Sequence, residues 1–181
     1  GPNLIELIPA IITRFRLRRI GIISDIQKAF LQISLRKEDR DFLRFLWWEE
    51  NMKTLKIFRH CRAVFGVTSS PFHLIATVNH HLNSFPCTRT VNKLKQGFYT
   101  DNCVVSVDSE DDAKVFIKEA TEIMLKGKFE LRGWTSNQFK KSGGMSDGPA
   151  SVLGLKWNLI TDKLSVDIPL LGAIGEKKIT K

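Results

Sequence analysis

The chain has 181 residues, of which 43% are hydrophobic, enough for a packed core in one domain or a compact two-lobed unit. Lysine and arginine number 28 against 19 acidic residues, and the formal net charge of +9 is typical of proteins that meet phosphate backbones or anionic surfaces. No apolar run approaches the roughly 20 residues that span a bilayer, and the first residues lack a signal-peptide pattern. The composition therefore argues against a disordered or membrane-spanning chain, and we expect an intracellular protein, cytoplasmic or nuclear.

The first part of the chain predicts a helix and then a strand that ends in a carboxylate. Apolar residues recur at helical spacing over residues 4–15, and the arginine cluster that follows suits either the helix dipole or contact with phosphate. Residues 20–23 predict a buried strand that delivers Asp25 at its end. Taken alone, Asp25 is either a helix cap or a metal ligand, and a partner carboxylate is needed to decide.

An aromatic hairpin is predicted next, with strands at residues 42–48 and 55–58 around a turn at 49–51. Trp47 and Trp48 are adjacent in the first strand and therefore face opposite sides. We expect one of them in the core and the other exposed, where it packs on another part of the protein or stacks on a base.

The middle of the chain predicts a second helix and a connection. The helix is expected from Ser70, which can act as its N-cap, to about Leu82, with Pro71 at its first position. His80 and His81 diverge on such a helix and are expected to be surface residues rather than ligands of one metal ion. The cysteines show no C-x-x-C spacing, so neither a disulfide framework nor a zinc site is indicated. Residues 91–96 are expected to be a short basic segment.

Residues 97–105 predict a β-hairpin with an acidic tip. An apolar run, a tight turn and a second apolar run would present Asp101 at the turn, where a carboxylate is exposed by geometry. Two carboxylates on neighbouring strands can hold divalent ions for phosphoryl transfer. Asp25 is the candidate for the second carboxylate.

The last part predicts a capped helix followed by strands. Ser109 and Asp112 form a variant of the capping box, and the helix that they begin is expected to stop near Gly127. A strand at 129–134, a loop at 135–149 and a closing hairpin at 152–157 and 164–168 follow. Hairpins alternating with helices predict an α+β fold, an antiparallel sheet with helices packed on one face.

Six stretches together resemble a known family. SDIQKAFLQI at 24–33, FGVTSSPF at 65–72 and YTDN at 99–102 resemble, in this order, the palm motifs of reverse transcriptases. With DRDFLRFLWW at 39–48, FELRGWTSN at 129–137 and VLGLKW at 152–157, the chain resembles the BEL/Pao class of LTR retrotransposon polyproteins. The resemblance implies a single palm and partial-fingers unit over residues 1–181, without the upstream fingers, thumb or RNase H.

The resemblance also implies roles for particular residues. Asp25 and Asp101 correspond to the catalytic, metal-binding carboxylates that hold Mg²⁺ or Mn²⁺, with the carbonyl of Ile26 assisting. The implied partners are an RNA or DNA template-primer and a deoxynucleoside triphosphate. Phe30 matches the steric gate against a ribose 2′ hydroxyl. The remaining implied positions are the nucleotide-binding residues Phe65, Gly66 and Ser70, and the primer-grip residues Leu153, Gly154, Leu155, Lys156 and Trp157.

The chain departs from the family pattern at three positions. Asn102 stands where the family has a second aspartate, and a neutral amide offers a metal one weak oxygen and no charge, so binding and rate are expected to fall. Val64 replaces a usual proline, and Gly133 replaces a usual basic residue. We therefore expect an impaired or inactive polymerase, with Asn102 either natural or engineered. The alternatives are a retroelement-derived nucleic-acid-binding module without catalysis and a protein-interaction scaffold anchored by Trp47 or Trp48.

Overall fold

The computed structural model describes residues 3–50, 52–138 and 149–166. Its helices are α1 (Ile8–Arg16), α2 (Ser70–Asn83), α3 (Arg89–Gly97) and α4 (Glu110–Lys126), with short 3₁₀ helices at Leu4–Leu7, Ala29–Gln32 and Lys37–Leu43. Its strands are β1 (Ile20–Ile26), β2 (Arg44–Trp48), β3 (Leu55–Arg59), β4 (Phe98–Tyr99), β5 (Asn102–Val107), β6 (Leu131–Ser136), β7 (Ala150–Val152), β8 (Leu155–Asn158) and β9 (Lys163–Ser165). The α+β class with antiparallel sheets is confirmed.

A four-stranded antiparallel sheet in the order β4-β5-β1-β6 forms the centre of the molecule. Strand β1 is almost wholly buried and pairs with β5 from Ile20 opposite Val107 to Asp25 opposite Asn102. On its other side β1 pairs with β6, and the register shifts between Ile23 and Asp25. A β-bulge of this kind bends the strand and re-aims its side chains, and here it lies next to Asp25.

Two apolar clusters lie on opposite faces of this sheet, because successive side chains of a strand alternate between faces. On the first face, residues such as Ile22 and Val105 pack against α2, α3 and α4. On the second face, Val104 packs against Phe15 of α1 and Trp157 of β8, whose rings meet edge to face at 4.8 Å. Three helices thus share one face, as expected, while α1 joins the β7-β8-β9 sheet on the other.

The start of α4 is close to the predicted cap. The Ser109 hydroxyl oxygen accepts a hydrogen bond from the Asp112 backbone N–H at 3.1 Å, and the hydroxyl itself donates to the Asp112 carboxylate. In a full capping box that carboxylate would instead accept the N-cap backbone N–H. The helix is followed by its C-cap residue, Gly127, as predicted.

Three segments differ clearly from the sequence-based expectation in secondary structure. The strand expected at 152–157 is interrupted, because residues 153 and 154 form a turn between β7 and β8. Residues 91–96, expected only as a short basic segment, lie inside the helix α3, which Thr88 caps by accepting the Val91 N–H at 3.2 Å. The apolar stripe of this helix is narrow, so helical periodicity is hard to recognise in its mostly basic and polar sequence. The predicted loop at 135–149 begins later, because residues 135 and 136 extend β6, and most of that loop lies outside the described residues.

The aromatic hairpin β2–β3 forms as predicted, but neither of its strands is buried. Every residue of both strands is exposed, including Trp47 at 65% and Trp48 at 47%, so the expectation of one core tryptophan is wrong. Within the described residues, the two strands form a separate two-stranded sheet. In an isolated pair of strands, no neighbouring helix or sheet covers either face.

His80 is exposed as expected, whereas His81 is not a surface residue. The His81 ring is half-buried, its Nε2 lies 2.8 Å from the Ile123 carbonyl oxygen, and its edge meets Phe85 at 5.0 Å. Among the described residues, no helix is long and apolar enough to cross a membrane.

Candidate active site

Asp25 and Asp101 lie at neighbouring strand ends of the central sheet. Strands β4 and β5 are joined by the two-residue loop Thr100-Asp101, between the paired residues Tyr99 and Asn102. The Ile26 backbone N–H donates to the Asp101 carbonyl oxygen at 2.9 Å, which ties the loop to the end of β1. The hairpin tip therefore lies beside the Asp25 end of β1.

The Asp101 side chain is held by its two chain neighbours. Its Oδ1 accepts hydrogen bonds from Thr100 Oγ1 and from Asn102 Nδ2, both at 2.9 Å. Asn102 thus directs its amide donor to Asp101 instead of adding a second negative charge. Thr100 has a φ of 51°, a left-handed conformation that is strained for a β-branched residue.

Asp25 has a cationic partner that sequence reasoning missed. Arg132 of β6 is paired with Asp25 in the sheet, and its Nε donates to Asp25 Oδ2 at 3.1 Å. Both side chains are partly exposed, at 53% for Arg132 and 40% for Asp25. The sequence signal is weak, because only the register shift in β1 brings a residue 107 positions away opposite Asp25.

Gly133 adds a steric condition to the same site. Its φ is +66°, and a Cβ built on it would lie 3.0 Å from Asp25 Oδ1. A side chain at this position would therefore be strained and would press on the carboxylate. Position 133 carries no basic side chain, and the basic residue that contacts Asp25 is instead its neighbour Arg132.

The oxygen donors fit a hard divalent cation only in part. Carboxylate oxygens of Asp25 and Asp101 are the ligands that Mg²⁺ prefers, and they lie at adjacent strand ends. Against them, Asn102 presents its amide nitrogen to Asp101, and Arg132 occupies one Asp25 oxygen. Within the described ranges, no group of three or more histidine, cysteine or acidic residues is placed to hold a metal ion.

The residues implied to line a nucleotide are arranged around one aromatic contact. Phe30 is buried and meets the exposed Phe65 edge to face at 4.6 Å, and Gly66 follows with a φ of +85°. Ser70 is buried, and its hydroxyl donates to the Val64 carbonyl oxygen at 2.7 Å. The prediction that Ser70 caps α2 is wrong, since Ser69 precedes the helix and the Ser70 hydroxyl holds the loop.

The implied primer-grip residues form the turn between β7 and β8 and the first three residues of β8. Leu153 and Gly154 have φ values of 49° and 87°, and they connect the paired residues Val152 and Leu155. Leu153 packs against the same apolar cluster as Tyr99 of the hairpin, on the second face of the sheet. Lys156 is exposed, whereas Trp157 is fully buried and donates its Nε1–H to Asp162 Oδ1 at 2.8 Å.

Comparison with known proteins bears on the fold of the chain. No protein-family model and no curated protein matches the chain. A crystal structure of the prototype foamy virus protease-reverse transcriptase is similar, with a TM-score of 0.51 and 17% sequence identity over 67% of this chain and 14% of that one. The chain thus spans a small part of the viral protein that it matches. At this identity the likeness concerns the fold alone, and the chain has a reverse-transcriptase-like α+β fold.

Proposed function

We propose that the chain is a degenerate BEL/Pao-type reverse transcriptase unit whose nucleotidyl-transfer site is impaired at Asn102. The observation that carries the proposal is the pairing of Asp25 with Asn102 in adjacent strands, with Asp101 tied to Ile26 at the same strand end. This arrangement supports the proposal because it brings two carboxylates to adjacent strand ends. The net charge of +9 supports a nucleic-acid partner.

In this proposal, the chain's own residues have separate roles in binding the cations, the nucleotide and the primer. Asp25 and Asp101 would hold the cations, and when bound, Mg²⁺ or Mn²⁺ supplies the charge that activates a primer hydroxyl and steadies the triphosphate. Phe30, supported by Phe65, would limit the space beside the sugar. The turn at Leu153 and Gly154 would position the primer strand. The missing charge at position 102 and the Arg132 contact both weaken cation binding.

Metal binding by the chain itself tests the impaired-site proposal. Mn²⁺ broadening of amide signals should centre on Asp25 and Asp101, and Asn102→Asp should raise Mn²⁺ affinity by about tenfold, because a carboxylate replaces an amide. Asn79→Asp adds the same charge at an exposed position of α2 and should leave the affinity unchanged. Equal affinity in all three proteins, or broadening elsewhere, contradicts the proposal.

Primer extension on an RNA template tests the reaction. The chain and its Asn102→Asp variant are each placed in a full-length reverse transcriptase domain and supplied with Mg²⁺ or Mn²⁺. Extension only by the variant supports a site that lacks one charge. Robust extension by the unchanged sequence contradicts the impairment.

A nucleic-acid-binding module without catalysis is the second candidate, and the hairpin β2–β3 favours it. Exposed aromatic residues such as Trp47 lie on these strands with basic residues such as Arg44 and Lys56. Aromatic rings beside cations are suited to stacking on bases and to phosphate contact. Filter binding should show affinity for RNA or DNA that falls linearly with salt on logarithmic axes. If no salt-dependent affinity is found, the protein-interaction scaffold remains as the alternative function.

A further inference from the structure

A cationic cleft lies toward the other end of β5, away from the hairpin tip. A cleft with a cavity volume of about 150 Å³ opens between the end of α1, helix α3 and β5. Its lining includes Arg14, Arg18, Lys93 and Ser106. Ser106 is four residues along β5 from Asn102, which corresponds to roughly 13 Å of strand. The cleft is therefore distinct from the candidate active site.

The cleft exists because β4 is short. Strand β4 covers only the first residues of β5, so the outer edge of β5 from Val104 onward faces α3 and not another strand. Lys93 Nζ donates to the Ser106 carbonyl oxygen at this edge at 2.6 Å. The N–H and C=O of one strand residue point to the same side. The Ser106 N–H is thus directed into the cleft as well.

Positive charge is in excess around this cleft. Arg18 and Arg89 share the Asp108 carboxylate, and Arg89 also pairs with Asp112. Lys93 and Arg14 use backbone carbonyl oxygens as partners, with Arg14 Nη2 donating to Gln96 at 2.9 Å. These four cations face two carboxylates, which leaves an excess of two positive charges.

Two further observations indicate that this excess has no internal counterpart. Among buried side-chain polar atoms of the described residues, Arg14 Nε is one without a hydrogen-bond partner. Burial lowers the pKa of Lys93, and the charges of Arg18 and Arg89 lower it further, against the opposing effect of Asp108 and Asp112. A bound anion would satisfy these donors and offset the repulsion among the cations.

We propose that the cleft between α1, α3 and β5 binds a phosphate group through Arg14, Arg18, Lys93 and the Ser106 N–H. A phosphate carries up to two negative charges and several acceptor oxygens, which match the excess charge and the converging donors. The volume suits a small anion with water, since one water takes about 30 Å³. The group is a free phosphate or part of a nucleic acid, and the two sources are separated by experiment.

Inorganic phosphate, titrated into the ¹⁵N-labelled chain at constant ionic strength, tests the site directly. The amide signals of Gln96, Gly97 and Ser106 should shift in a saturable way. Lys93→Gln and the more exposed Arg18→Gln should each weaken binding by about tenfold, because each removes a charge-assisted hydrogen bond. Lys114→Gln removes an equal charge from an exposed ion pair on α4 and should leave the affinity unchanged.

The same titration with a short single-stranded oligonucleotide identifies the source of the phosphate. If the oligonucleotide binds more tightly than inorganic phosphate and Lys93→Gln weakens its binding, the cleft binds a nucleic-acid backbone. If inorganic phosphate binds more tightly, the cleft binds a free anion. Both results support the site. Unsaturable shifts, unchanged affinity in both cleft variants, or an equal loss of affinity in Lys114→Gln would overturn it. The last result would show a nonspecific effect of net charge.

Discussion

Asp101 shares its carboxylate with two donors from its own hairpin, and Asp25 shares its carboxylate with Arg132. At the scale of single residues, both carboxylates of the candidate site thus already have protein donors, and only Asp25 has a cationic one. A cation that binds there has to compete with Arg132 for Asp25. Charge at this site is decided by direct neighbours and not by the net charge of the chain.

Removal of the Arg132 charge should strengthen cation binding. We expect Arg132→Gln to raise the Mn²⁺ affinity by up to about fivefold, because an exposed ion pair contributes about 0.2–1 kcal/mol. Lys118→Gln removes an equal charge from an exposed position of α4 and serves as the control. Calorimetric titration measures both variants, and a weaker affinity in Arg132→Gln would show that Arg132 supports the site.

Gly133 should be intolerant of a side chain for two reasons, and Gly154 for only one. Both have positive φ, so either change to alanine should lower the free energy of unfolding by about 1–2 kcal/mol. Only at Gly133 would the new Cβ approach Asp25, whereas a Cβ built on Gly154 would have no atom within 4 Å. Gly133→Ala alone should therefore also change Mn²⁺ affinity. Urea unfolding and the metal titration separate the two effects, and equal metal affinities would contradict the steric contact.

At the scale of elements, α1 is joined to the β7-β8-β9 sheet by one carboxylate and one aromatic pair. Asp162 accepts hydrogen bonds from Arg16 of α1 at 2.7 Å and from Trp157 of β8 at 2.8 Å. Burial raises the pKa of Asp162, but these bonds and the Arg16 charge outweigh it, so the pKa lies below its usual value. The link depends on an ionised Asp162.

Acid should therefore weaken this link. Because the folded-state pKa of Asp162 lies below the unfolded value of 3.8, its stabilisation is present above that value and is lost as pH falls through the folded-state pKa. Asp162→Asn should lower the free energy of unfolding at neutral pH by about 1 kcal/mol, discounted for exposure, with a smaller further loss in acid. Asp111→Asn, at an exposed ion pair, should follow the parent protein across the pH range. Parallel pH curves for all three proteins would contradict the role of Asp162.

Whole-molecule organisation separates a buried centre from an exposed hairpin. The central sheet is covered on both faces, by three helices on one side and by α1 with a small sheet on the other. The hairpin β2–β3 exposes apolar residues on both strands. Contiguous exposed apolar surface is typical of contact with a partner.

Tryptophans in these two regions should respond differently to substitution. Trp47→Ser should change the free energy of unfolding by less than about 0.5 kcal/mol, whereas Trp157→Ala should lower it by about 3–5 kcal/mol. If the hairpin binds nucleic acid, Trp47→Ser should also weaken RNA or DNA binding. Urea unfolding and filter binding measure both properties. A large loss of stability in Trp47→Ser would show that the hairpin packs on the protein.

Local sequence determined the elements whose signals are short-range. The apolar runs of β1 and β5, the cap at Ser109 and the hairpin tip at Asp101 follow from hydrophobic patterning and turn chemistry, which act over a few residues. The order of hairpins and helices was enough for the α+β class. Helix α3 was missed because its buried face is too narrow to show in a basic sequence.

Only the tertiary structure decided which distant residues share a site. The register shift in β1 places Arg132 on Asp25, and the short β4 leaves the edge of β5 open to Lys93. The sequence signal for such contacts is weak, because strand register and edge coverage depend on pairing between segments far apart in the chain. Burial of Trp157 and exposure of Trp47 differ for the same reason: each depends on whether another layer covers its strand. The sequence alone determined the residue types at the hairpin tip, and the packing of the sheet decided their charge environment.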